Sequence, residues 1–197
     1  MLYRHWKWVS LGMVLLVITA CSTTQVGEGV KYSKLTREHL YTLDKWVFRG
    51  RLALSGKKDA WQANIAWTHE VDNDEIKLSG LLGQGSTIIR LSIEEVVIDR
   101  GDGNVLSSKQ SEDFINQQLG FIVPVRSLRY WALGLPEPGN AFAATYDGFV
   151  QSGWLVEYKE EQAVNNEFLP RKITVSNERV KLKLIIDQWG LNDAKAK

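Results

Sequence analysis

A strict two-residue alternation of apolar and polar side chains, repeated along most of the chain, restricts the fold more than any other feature. Trp46, Phe48, Gly50, Leu52 and Leu54 alternate with Val47, Arg49, Arg51, Ala53 and Ser55. Successive residues of a strand point to opposite faces, so this pattern predicts a strand with one buried side. After the turn-forming Gly56, Lys57, Lys58 and Asp59 the signature returns, with Trp61, Ala63, Ile65 and Trp67 set against Gln62, Asn64, Ala66 and Thr68. Ile76 and Leu78 alternate with Lys77 and Ser79; Thr87, Ile89, Leu91 and Ile93 with Ile88, Arg90 and Ser92; Val96 and Ile98 follow. Towards the C-terminus come Trp154, Val156 and Tyr158, then Ile173 and Val175, then Val180, Leu182, Leu184 and Ile186 against Lys181, Lys183 and Asp187. The expectation is an antiparallel meander of about nine or ten strands with one apolar face, a number suited to a strongly curved sheet or barrel.

Between the two strand blocks the period changes. Ser111, Glu112 and Asp113 open a stretch closed by Leu119 and Gly120, with a capping serine, early acids and a terminal glycine, which predicts a helix of two to three turns. A second helix is expected after Pro124, through Val125, Leu128 and Trp131, stopped by Gly134 with Pro136 beyond. A sheet with one apolar face has to cover it, so these helices belong across or inside the mouth of the curved sheet, leaving a hydrophobic cavity. A short amphipathic helix is also expected near the start of the domain, with Leu35, His39, Leu40 and Leu43 on one side and Thr36 as its cap.

The N-terminal region reads as a leader and an anchor. Arg4 and Lys7 precede an apolar run from Val9 to Ile18, too short to cross a hydrocarbon core of about 30 Å comfortably. Ile18, Thr19 and Ala20 then place an aliphatic residue and two small ones before Cys21, the pattern of a lipobox cut ahead of a lipidated cysteine. Cys21 is the only cysteine, so no internal disulfide is available in an oxidising compartment, and a Cys21 carrying several acyl chains accounts for the lone thiol. Ser22 rather than Asp follows it, which by the sorting convention of Gram-negative bacteria directs the protein to the outer membrane, on its periplasmic face. The division expected is a signal peptide over 1–20, a lipidated flexible tether over 21–34, one folded domain over 35–190 and a polar tail over 191–197. Loss of Arg4 and Lys7 lowers the formal charge from +1 by two, which leaves no basic field for nucleic acid. A composition that is 44% hydrophobic and 24% charged excludes a disordered chain.

Nearly end to end, the chain resembles the LolB family of outer-membrane lipoprotein receptors, which receive lipoproteins from the periplasmic carrier LolA. The resemblance rests on the lipobox at Cys21, the first strand with Arg49 and Gly50, and the tip Leu81, Leu82, Gly83. Its most specific piece is the run Ser127, Leu128, Arg129, Tyr130, Trp131, Ala132, Leu133, Gly134, Leu135, Pro136. Further similar pieces are Gly153 to Tyr158, Leu169 with Pro170, and the closing strand from Lys181 to Trp189. It implies an unclosed, strongly curved antiparallel β-barrel with a helical lid around a hydrophobic cavity, a monomer that needs no cofactor or metal. The domain over 35–190 becomes a lipoprotein-binding domain with acylated lipoproteins as cargo. The implied acyl-chain cavity takes in Trp46, Phe48, Leu52, Leu54, Trp61, Ile65, Trp67, Leu78, Ile89, Leu91, Phe114, Leu119, Leu128 and Trp131. By burial habit alone the tryptophans read equally as plain core. Leu81, Leu82 and Gly83 form the implied membrane-insertion loop, although a leucine between strands also tucks readily into a core edge. Where the family loop commonly reads Pro-Leu-Gly this chain has Leu81, Leu82 and Gly83, lengthened by Gln84 and Gly85.

Two rival classes remain at this point, a membrane-tethered lipid-acting hydrolase and a structural outer-membrane lipoprotein. Against the hydrolase, only His39 and His69 lie beyond the leader, both expected at a surface or on a helix face, and no Gly-x-Ser-x-Gly elbow or metal-ligand spacing occurs. No Gly-x-x-x-x-Gly-Lys loop is present to drive transfer with a nucleotide.

Overall fold

The alternating stretches become strands in the computed structural model, which describes residues 32–57, 59–80, 85–109 and 111–191 without the side chains of Ser111 and Leu119. The leader, Cys21, Leu81, Leu82, Gly83, the Leu119 side chain and the tail beyond Leu191 lie outside the described residues. The first block of strands is β1 (Lys45–Ser55), β2 (Ala60–Glu70), β3 (Asn73–Ser79), β4 (Ser86–Leu91), β5 (Val96–Asp99) and β6 (Val105–Ser108). Helices α1 (Ser111–Leu119) and α2 (Val125–Ala132) follow, then β7 (Phe142–Ala144), β8 (Gly148–Gln151), β9 (Trp154–Val164), β10 (Glu167–Ser176) and β11 (Lys181–Leu191).

All eleven strands join one antiparallel sheet in the order β6-β5-β4-β3-β2-β1-β11-β10-β9-β8-β7. The first and last strands pair at its centre, Trp46 opposite Leu191 and Leu54 opposite Leu182. The edges are β6 and β7, which do not pair with each other, so the barrel is unclosed. A sheet this wide with native twist curls on itself, and inward residues from β5 round to β8 share one core, among them Ile98, Ile89, Trp67, Leu52, Leu184, Val175 and Phe149. The helices lie in sequence between the two edge strands, so the chain passes from one edge to the other over the mouth of the sheet. Antiparallel order also sorts the hairpins. The C-terminal ends of β1, β3, β5, β8 and β10 lie at one rim, here the upper; turns 71–72, 92–95 and 165–166 form the lower.

The count exceeds the nine or ten strands expected because β6, β7 and β8 have three or four residues each, too few to display a period. Ile93 was expected to prolong β4. Instead β4 stops at Leu91 and Ile93 is exposed, because Ser92 Oγ accepts the amides of Glu94 and Glu95 and folds the chain into a turn. The N-terminal helix is a 3-10 helix, Leu35–Thr42. Its three-residue period places Arg37, Leu40 and Leu43 together: Leu40 is buried, while Leu35 and His39 face solvent and Thr36 lies inside the helix rather than capping it.

Gly50 has no room for a side chain. β11 bulges at Asp187, between the partners of Arg49 and Gly50, and a Cβ on Gly50 would stand 2.1 Å from the Ile185 carbonyl oxygen.

Candidate functional site

The inner face of the sheet encloses a cavity of about 50 Å³ near the upper rim. Leu52 and Leu54 of β1, Trp61, Ile65 and Trp67 of β2, and Ile76 and Leu78 of β3 line it, with Ile89 of β4 and Leu182 and Leu184 of β11. Its roof is Val123, Val125 and Leu128, from α2 and the connection before it. Every lining residue is apolar, so a water inside would find no partner and the space favours hydrocarbon.

Eight residues singled out in the sequence therefore meet at the cavity: Leu52, Leu54, Trp61, Ile65, Trp67, Leu78, Ile89 and Leu128. The others described lie elsewhere. Trp46 and Phe48 stack below it at 5.9 Å, with Trp189 edge-on to both, in solid core. Leu91 is packed at the lower end of β4, Phe114 is half-buried on α1, and Trp131 is wholly buried under α2. Ile76, Val123, Val125, Leu182 and Leu184 line the cavity without having been singled out for it. For the strand residues the parity of the alternation already put them on the inner face.

At the foot of the cavity the apolar face carries a polar cluster. Asp74 Oδ1 accepts the Trp67 Nε1–H at 2.9 Å and lies 2.9 Å from His69 Nδ1, while Asp74 Oδ2 pairs with Arg129 of α2. The carboxylate is almost fully buried, and burial of a charge is tolerable only with such pairing. The expectation of a surface or helix-face His69 is corrected here: it sits inside β2 with its ring 5.1 Å from Trp46. The signal was available, since His69 continues the parity of Ile65 and Trp67, and Asp74 that of Ile76 and Leu78.

The roof helix α2 is fixed firmly at its far end. Three phenolic hydroxyls donate to main-chain oxygens there: Tyr158 to Trp131 O at 2.9 Å, Tyr32 to Gly134 O at 3.0 Å and Tyr41 to Pro136 O at 2.6 Å. Burial raises the pKa of all three above the ordinary phenol value, Tyr41 up to about 12. Gly134, at φ +86°, ends the helix by a left-handed turn in which the Leu135 amide bonds to Tyr130 O. Gln151 adds a clamp, accepting the Trp131 Nε1–H at 2.9 Å and the Glu137 amide at 2.8 Å while donating to Glu137 O and Asn140 O. At its near end α2 has no cap of its own. Glu112 of α1 accepts the Arg126 amide at 3.0 Å and so caps α2 from outside, where a carboxylate also suits the helix dipole.

Among the described residues no group of three or more metal-ligating side chains is assembled, and no helix is long and apolar enough to cross a membrane. Comparison with known proteins supplies the lineage. Among solved structures, a LolA superfamily protein from Nitrosomonas europaea aligns with a TM-score of 0.45 at 6% identity, over 77% of this chain and 88% of that one. An outer-membrane lipoprotein LolB from Nitrosococcus oceani is 29% identical over 94% of this chain and 99% of its own length. Those of Francisella tularensis and Marinomonas are 30% identical, covering 92% and 89% of this chain and 93% of their own lengths. The sequence profile of the family described as outer membrane lipoprotein LolB matches residues 44–189, from the start of β1 to Trp189 in β11, and the chain belongs to that family.

Proposed function

We propose that this protein is a lipid-anchored receptor on the periplasmic face of the outer membrane. It takes acylated lipoproteins from the periplasmic carrier LolA into the apolar cavity and inserts them into the inner leaflet, as a monomer and without nucleotide hydrolysis. Family membership supports the broader role in outer-membrane lipoprotein localisation. The observation that carries the finer reading is a wholly apolar cavity enclosed between a curved sheet and a helical roof. Each acyl CH₂ left in water costs about 0.8 kcal/mol, so cargo with several chains needs such a shelter to cross the periplasm. A water-sized sphere needs roughly 10–15 Å³ by the same measure, so the cavity as it stands takes about four groups of that size. Accepting a whole chain therefore requires the roof to move. Without a nucleotide, transfer runs downhill: the receptor binds chains better than the carrier does, and the bilayer better still.

The test is a transfer assay with LolA preloaded with a lipoprotein. Cargo should pass intact to this protein and then to liposomes with no ATP present. Cleaved cargo would establish the hydrolase, and cargo that stays on the carrier would leave only a structural lipoprotein.

A further inference from the structure

The cavity wall is not equally strong all round. Along β1, β2, β3 and β11 it is hydrogen-bonded sheet, but at the upper rim it is one stretch of chain, residues 120–124, between α1 and α2. Side chains alternate across that stretch: Phe121 and Val123 are buried, and Ile122 between them is 60% exposed. Val123 lines the cavity, whereas Ile122 borders an outer depression with Asp113, Asn116 and Gln117. A single thickness of backbone thus separates the cavity from solvent, with an apolar side chain on either face. Its described fixings are the Val123 amide to Asn116 Oδ1 at 2.7 Å, the Gly120 amide to Asn116 O at 2.9 Å, the amides of Val125 and Leu128 to Val123 O and Pro124 O at 3.0 and 2.9 Å, and Phe121 beside Gly56, with no strand pairing among them.

Two observations say what covers Ile122. Only eleven residues lead from Cys21 to Tyr32, and fully extended they span at most about 40 Å. That is close to the length of β1, roughly 36 Å for its strand rise, so a lipid on Cys21 keeps a bilayer within reach of either rim. Charge then selects the rim. Beside Phe121, the described residues of the turns after β1 and β10, with Lys181 that opens β11, carry Lys57, Arg179 and Lys181 against Asp59 and Glu178, a positive surplus suited to anionic headgroups.

We propose that residues 120–124 are the port by which acyl chains leave the cavity: Ile122 enters the interface of an anionic bilayer, and its movement draws Val123 out of the roof. The inference rests on the reading of the cavity as an acyl-chain site. The experiment uses the full lipid-anchored chain in liposomes of phosphatidylethanolamine and phosphatidylglycerol, with the photo-crosslinker p-benzoylphenylalanine in place of Ile122 or, as a control on the lower rim, of Ile93. Phospholipid adducts should be at least tenfold more abundant from position 122; equal yields would overturn the bilayer contact. Ile122→Glu should accept cargo from the carrier as the unaltered chain does and deliver it to liposomes on the order of tenfold more slowly. Normal delivery by that variant would overturn the port, and Ile122→Ser gives the same readout should the carboxylate disturb the roof. Failure of the acyl-chain reading would look different, as no cargo uptake by the unaltered chain.

Discussion

Asp74 of β3 joins partners from β2 and from helix α2 at once, which makes it the residue whose loss should be felt furthest from its position. Asp74→Asn keeps the shape and an acceptor for Trp67 Nε1 but leaves the Arg129 guanidinium buried without a countercharge. Breaking a buried pair from one side costs about 3–5 kcal/mol, so urea unfolding should show a loss of that order. Arg129 Nε is already buried without a partner, so the double change Asp74→Asn with Arg129→Met should recover part of the loss. A single variant within about 1 kcal/mol of the parent would show that the pair is not desolvated. Gly50 makes the complementary prediction through space rather than charge. Gly50→Ala forces Cβ onto the Ile185 carbonyl and should cost about 1–3 kcal/mol or more, as overpacking does, measured by the same unfolding curve.

Among the elements, α2 is anchored by hydroxyls that work only while protonated. Burial raises the pKa values of Tyr32, Tyr41 and Tyr158 above the unfolded phenol value of about 10. A group whose folded value is raised contributes stability that is fully present below its unfolded value and is lost as pH climbs towards the folded one. Stability should accordingly hold to about pH 10 and fall between pH 10 and about 12, the value reached by Tyr41. Absorbance titration should show these three of the six tyrosines ionising late and together with loss of structure; early independent ionisation would contradict their burial. A second element-scale prediction concerns the connection between β3 and β4, whose flanking residues Ser79 and Ser86 pair at the upper rim. On the proposal that Leu82 is the insertion tip, Leu82→Glu should fold within about 0.5 kcal/mol of the parent, accept cargo normally and deliver it poorly to liposomes. Unfolding, or delivery at the normal rate, would remove Leu82 from that role.

For the whole molecule, the sheet is organised so that its first and last strands meet at its centre and its two open edges are bridged by the helices. Nothing in this arrangement requires the anchor, so exchanging the lipobox and Cys21 for an ordinary cleavable leader should yield a soluble protein that still accepts cargo from the carrier. Failure to bind any lipoprotein in a pull-down would show that the cavity is not self-contained. The strands of six to eleven residues were legible in the sequence because a two-residue period leaves a trace that neighbouring packing does not erase. The same parity assigned the inner face, Leu52, Ile65 and Leu78 included. The stops of α1 and α2 were likewise local, written in Gly120 and Gly134. Sequence alone could not tell that Trp46 and Phe48 fill solid core while Trp61, on the same face, borders the cavity, because that depends on how far along the barrel the roof reaches. Nor could it pair Asp74 with Arg129, which are 55 residues apart in the chain, or join β1 to β11. Local periodicity determined which residues face inward; only the closure of distant segments, a long-range packing event with no local signature, decided which of them meet.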